Sequence, residues 1–331
     1  MIRQYSRLAG AAALALLPLF VLSASAQQTV PAAPTQVPAA PAPTPNAVKF
    51  PAQDPQFFTA TAPTKDTVNS FLQTSWGYDE NRVWQVQAIL KTRVPDVSKV
   101  VVLIGDKTGK QKMVALQFFV LPDGKHIIAG DEILPFGDHP YAEDRATLEQ
   151  QANGPYRGAA EKTLELVEFA DFQCPHCKDA QASMEKLSAD FPKARIVFEN
   201  YPLAKIHPEA VKAATYGACV TRMGGSSAFF QYADAVFEGQ AGLATPDGAT
   251  LTLNSAVTKA GLDPQKVMTC SQTPEAAADV EQSVKLAQSL NVIQTPTLMV
   301  NGRQVPIGGV PYETIKKIIE YQAKLDGVAT Q

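Results

Sequence analysis

Cysteine and histidine are scarce in this chain, four of each in 331 residues. So few cysteines exclude a disulfide-dense scaffold. His126 and His139 have no second ligand at metal spacing and read as surface or turn residues. Charge of either sign is also limited. Twenty-nine basic and 32 acidic residues leave a formal charge of −3, which argues against a nucleic-acid surface or a polybasic membrane binder. Beyond the first 26 residues, no apolar run approaches the roughly 20 residues that a bilayer requires. What is present is an apolar fraction of 45%, enough to build cores and to exclude a wholly disordered chain. The length suggests about two domains.

The N-terminus reads as an export signal. Arg3 and Arg7 precede an uncharged apolar stretch from Leu8 to Leu22, and Ala24-Ser25-Ala26 offers a cleavage site after Ala26. A retained anchor is the alternative, but the apolar stretch is short for a span. The expected location is therefore periplasmic or secreted, where disulfides form and persist. Residues 27–63 hold nine of the 25 prolines, mixed with Ala, Thr and Gln, and are expected to form a disordered linker.

Residues 64–153 read as a small α+β domain. Thr64 or Asp66 caps a short helix with Val68, Phe71 and Leu72 on one face. Strand-like runs follow at Arg82–Leu90, Lys99–Ile104, Lys110–Leu121 and Lys125–Ala129, with turn signals at Asp106–Gly109 and Pro122–Gly124. An antiparallel meander is expected. Ala142–Ala152 reads as a polar connecting helix ended by Gly154-Pro155.

Residues 154–331 have another rhythm. A buried-strand pattern at Leu164–Ala170 runs into Cys174-Pro175-His176-Cys177 and a helix, and Ala194–Tyr201 is a second strand. A helical block of about 207–291 is broken at Gly224-Gly225, Pro246–Gly248, Gly261–Pro264 and Pro274; His207-Pro208-Glu209 reads as its start. Strands at Thr297–Val300 and Gln304–Ile307 flank an Asn301-Gly302 turn, and Tyr312–Leu325 is an amphipathic helix. The fold class is α/β: a thioredoxin-like fold with a helical insertion, preceded by the α+β domain.

The cysteine pair carries the chemistry. Cys174 falls at a strand-to-helix junction, where free N–H groups and the helix dipole favour a thiolate. Pro175 suits the first helical turn, and His176 can offer a donor or a positive charge. Cys177, one turn on, is placed to close a bridge, which makes Cys174 the attacking sulfur and Cys177 the resolving one. A c-type haem site would need His after the second cysteine, where Lys178 stands. Zinc would need two further ligands, and the spacing of Cys219 and Cys270 is not a zinc pattern. No metal is expected.

Cys174-Pro175-His176-Cys177 after a buried strand, Glu168 six residues earlier, the helical insertion and Thr295-Pro296-Thr297 before a strand resemble the DsbA-like thiol:disulfide oxidoreductases of the thioredoxin superfamily. The resemblance covers Ala159–Leu325. It implies a cis-proline at Pro296 beside the cysteine pair and substrate pairing along the backbone of Thr295. It also implies a buried acid at Glu168 that accepts the Cys177 proton; a strand residue paired with a lysine is the other reading of Glu168. Cys219 and Cys270 are either two buried thiols or a disulfide clipping two helices. Some relatives carry a second disulfide in this region, which favours the bridge, worth about 4 kcal/mol in the chain-entropy model. No cofactor is implied beyond the redox-active Cys174–Cys177 disulfide.

The Pro-His dipeptide resembles the oxidase branch, which implies reduced or unfolded secreted proteins as substrates and a membrane redox partner for recycling. The run Leu121–Asp131 resembles the dimerisation domain of DsbC- and DsbG-type isomerases, which implies a homodimer through residues 64–153 and a disulfide isomerase or reductase. A non-catalytic periplasmic binding or chaperone module is the third reading.

Overall fold

The computed structural model describes residues 48–330. The expected signal (1–26), residues 27–47 of the expected linker, and Gln331 lie outside the described residues.

Residues 48–63 differ from the linker expected there. Gln53 Nε2 donates to Val86 O at 2.6 Å and Gln85 Nε2 to Pro51 O at 2.7 Å. Pro55–Phe57 forms a 3-10 turn, Phe58 bridges Ile89 in parallel, and the N–H groups of Thr59 and Ala60 donate to Ile89 O. Phe58 also packs on the core of the first sheet. A Pro- and Ala-rich composition hides this docking because it rests on one aromatic side chain, a few scattered polar side chains and backbone groups. The segment covers an edge strand, a position where proline is tolerated.

The first module sets α1 (Lys65–Trp76) on a five-stranded antiparallel sheet. The Thr64 side chain accepts from Thr67 N, and Val68, Phe71 and Leu72 are buried. The strands are β1 (Arg82–Lys91), β2 (Ser98–Asp106), β3 (Val114–Val120), β4 (His126–Ala129) and β5 (Glu132–Pro135), in the order β1-β2-β3-β4-β5. β3 starts four residues later than expected. The Asp106 carboxylate accepts from the N–H groups of Thr108 and Gln111, both at 2.7 Å, and holds residues 107–111 in a turn. β5 adds a strand beyond the expected runs: it is an exposed edge of four residues with no buried alternation. α2 (Ala142–Gln151) is polar except for buried Leu148.

The second sheet has the order β10-β9-β7-β8-β6. β6 (Tyr156–Gly158) pairs antiparallel with β8 (Arg195–Asn200), and its three residues follow Gly154-Pro155, which read as a plain stop. β7 (Glu165–Ala170) is central and buried along its whole length. It runs parallel to β8 through α3 (Pro175–Asp190) and antiparallel to β9 (Thr297–Val300), which pairs in turn with β10 (Arg303–Pro306). α8 (Tyr312–Leu325) buries Ile315, Ile318 and Ile319.

The insertion consists of α4 (Ala210–Glu238), α5 (Pro246–Lys259), α6 (Pro264–Ser271) and α7 (Pro274–Ser289). Gly225 kinks α4 at φ 72°. Thr245, Asp263 and Thr273 each cap the helix that follows, with proline at its first position. A disulfide joins Cys219 on α4 to Cys270 on α6, with the Cα atoms 5.9 Å apart. The insertion packs around Phe172, which stacks on Phe198 at 5.3 Å and meets Tyr232 edge-on at 5.6 Å.

Arg303 ties the module to the second sheet. Its guanidinium donates to Thr74 O at 3.3 Å and Ser75 O at 2.5 Å in the last turn of α1, and lies over the rings of Tyr78 and Tyr141. A cation there also suits the negative end of the helix. Gly302, at φ 89°, has no room for a Cβ beside Tyr141 O and Arg145 N.

Candidate active site

β7 delivers the chain into a buried turn, Asp171-Phe172, and then into α3. Cys174 occupies the N-cap position with extended backbone angles (φ −73°, ψ 121°), and Pro175 begins the helix. Both cysteines are buried free thiols. Cys174 Sγ lies 3.6 Å from Thr295 O, beside the cis Thr295-Pro296 bond. The cysteine pair and Thr295-Pro296, 121 residues apart, therefore come together.

The two sulfurs differ sharply. Cys174 is brought down to about 5, first by the Cys177 thiol donating to it, then by the Thr295 side chain and the N–H groups of Cys177 and His176, against the opposing effect of burial. Burial and the adjacent Cys174 hold Cys177 well above the ordinary thiol range. The contribution of His176 comes from its backbone; its side chain is exposed.

Glu168 is 2% exposed, and burial raises its carboxyl to about 7. It accepts from Gln181 Nε2 at 3.0 Å, and the same nitrogen donates to Cys177 O at 3.1 Å. Gln181 therefore ties the Glu168 carboxyl to the Cys177 peptide carbonyl and not to its sulfur. The N–H that meets Cys177 Sγ belongs to Asp171, at 3.4 Å.

Several residues at the site were not singled out from sequence. The Gln240 amide donates to Phe172 O and Cys174 O, both at 2.9 Å. Gln173 donates to Leu243 O and accepts from Glu209 N, each at 2.9 Å. His207, read as part of a helix start, binds Asp171. Gly308 is exposed, and a Cβ there would meet Pro296 at 3.5 Å and the Cβ of His176 at 3.8 Å. Asp171 alone left a sequence signal, an acid standing between the buried-strand pattern and Cys174. Gln240 has none, because only the fold brings it close. Cys219 and Cys270 bridge within the insertion and do not join the pair.

A thiolate-forming cysteine at a helix N-terminus, backed by a buried thiol, is equipped for thiol–disulfide exchange. The sequence signature of the family described as Thioredoxin matches residues 150–321, just over half of the chain. The chain belongs to the thioredoxin family. It is 25% identical over 175 residues to the disulfide bond formation protein D of Bacillus subtilis, covering 51% of this chain and 77% of that protein. It is also 30% identical over 148 residues to the Na(+)/H(+) antiporter NhaA 3 of Salinispora tropica, covering 45% of this chain and only 22% of the antiporter. The chain thus spans about a fifth of the antiporter's length. Among solved structures, ScsC of Proteus mirabilis in a transitional conformation aligns with TM-score 0.46 at 22% identity, over 55% of this chain and 79% of that one. DsbA2 of Pseudomonas aeruginosa aligns with TM-score 0.44 at 26% identity, over 51% and 94%.

Proposed function

We propose that this chain is an exported, DsbA-type thiol:disulfide oxidoreductase that oxidises protein dithiols through Cys174-Pro175-His176-Cys177. The supporting observation is the split between the sulfurs: Cys174 at about 5 and Cys177 held far higher. In the disulfide form, a substrate thiolate bonds to Cys174 Sγ and the electron pair of the broken S–S bond leaves on Cys177, which takes up a proton. The second substrate thiolate then attacks the substrate sulfur of the mixed disulfide, and Cys174 leaves as a thiolate. A low Cys174 pKa favours that departure and the dithiol product, and so makes the disulfide form oxidising. Glu168, at about 7, is the buried acid assigned to take up the Cys177 proton, and Gln181 holds its carboxyl against the Cys177 peptide. The backbone at Thr295-Pro296 aligns the substrate peptide beside Cys174.

Substrates on this reading are reduced or unfolded secreted proteins, met in the periplasm or outside the cell. The dithiol is recycled by a membrane redox partner. The disulfide itself is the redox group.

A specific surface favours a second reading, a dimeric isomerase. The register Phe119↔Ile128 and Ile128↔Ile133 lines up three apolar side chains across β3, β4 and β5, with Phe119 and Ile133 exposed. A second copy pairing through residues 64–153 would cover them. The equilibrium reduction potential, measured together with the mass in solution, separates the two. An oxidising monomer supports the oxidase, and a less oxidising dimer supports the isomerase.

A further inference from the structure

Asp171 is 1% exposed and holds three donors. Oδ1 accepts from Gln173 N at 2.7 Å; Oδ2 accepts from Leu203 N at 2.7 Å and from His207 Nδ1 at 2.8 Å. The backbone N–H of the same residue donates to Cys177 Sγ at 3.4 Å. One residue therefore has its peptide group on the buried sulfur and its carboxylate fastened to the segment that leads into α4. The exchange chemistry set out above uses neither Asp171 nor His207.

Cys177 becomes a thiolate in either direction of exchange, as leaving group when Cys174 is attacked and as nucleophile when it closes the bridge. Burial opposes that charge, so a fixed N–H aimed at the sulfur counts for more than it would in water. A backbone N–H is aimed only as well as its residue is held. Gln173 is a near neighbour of Asp171 and gives local bracing, whereas Leu203 and His207 bring the hold from the segment before the insertion.

The geometry points to His207 as a positioning residue for Cys177: by gripping the Asp171 carboxylate, it keeps the Asp171 N–H on Cys177 Sγ and so stabilises the thiolate that resolves or leaves. The inference rests on the exchange reading. In the resolving step the Cys177 thiolate bonds to Cys174 Sγ, the bond between Cys174 and its partner breaks, and the partner departs as a thiolate with the electron pair.

The test mixes the reduced protein with 5,5′-dithiobis(2-nitrobenzoate) and follows the coloured thiolate. A first phase reports attack by Cys174; a second reports closure by Cys177. His207→Leu removes the donor. His207→Asn places an amide nitrogen where Nδ1 stands, and His207→Gln places it farther out. The expected result is a first phase within about twofold of the parent in all three variants. The second phase should be about tenfold slower in the Leu and Gln variants, the loss expected for one hydrogen bond to a charged acceptor, and should return to near the parent rate with Asn. If His207→Leu does not fold, the comparison of Asn with Gln decides. Equal second phases in all proteins, an Asn variant as slow as Gln, or equal slowing of both phases would overturn the assignment. A parent protein without a first phase would refute the exchange reading, and this one with it.

Discussion

Replacing Cys177 with Ala tests the origin of the reactivity of Cys174. The Cys177 thiol is the largest of the influences that lower the Cys174 pKa to about 5. A hydrogen bond to a charged group is worth about 1.5–3 kcal/mol, or about 1–2 pKa units. Its loss destabilises the thiolate, so the pKa of Cys174 should rise to about 6–7. At pH 6 the thiolate fraction would fall from about 90% to between about 50% and 10%. Iodoacetamide trapping of reduced protein from pH 4 to 9 reads this directly, because Cys219 and Cys270 are bridged and Cys174 is then the one free thiol. Cys177→Ser, which keeps a donor, should fall between the parent and the Ala variant. A midpoint that stays near 5 in the Ala variant would refute the reasoning and leave the helix N-terminus and Thr295 as the whole cause.

Glu199 is buried, accepts from Gly154 N at 2.8 Å and from the Ser283 hydroxyl, and is raised by burial from 4.5 to about 7. A raised carboxyl supports the fold below its unfolded value and loses that support as pH rises through about 7. Glu199→Gln should therefore remove on the order of 2–3 kcal/mol of the stability that the parent loses between pH 5 and pH 8. Urea unfolding at both pH values reads this, and an unchanged difference would contradict it. Arg303→Met keeps the aliphatic stem but loses the bonds to Thr74 O and Ser75 O; it should cost about 2–3 kcal/mol in urea unfolding, and a loss under about 0.5 kcal/mol would show the junction to be unimportant.

The parts of the fold legible in the sequence are those with a strong local signal. The buried-strand pattern of β7, the helix-opening prolines at 246, 264 and 274, and the Asn301-Gly302 turn each announce an element within a few residues. β5 and β6 are short edges whose pairing is set by their neighbours, so no burial pattern marks them. Residues 48–63 read as linker because composition outweighs the few anchors, Phe58 and Gln53 among them. At the site, Cys174-Pro175-His176-Cys177 was legible from its spacing, and the nearness of Thr295-Pro296 from the resemblance. The bracing of residues 171–174 was not, because Leu203 and His207, ahead of α4, and Gln240, inside the insertion, come to it only in the folded chain.

The most direct test of the central claim mixes the disulfide form of the protein with a reduced, unfolded polypeptide carrying two thiols. Acid quenching, alkylation and mass mapping then follow both partners. The account predicts one substrate disulfide formed for each Cys174–Cys177 bridge lost, by way of a transient adduct on Cys174, with Cys219–Cys270 intact. A substrate that keeps both thiols, or an adduct on any cysteine other than Cys174, would contradict it.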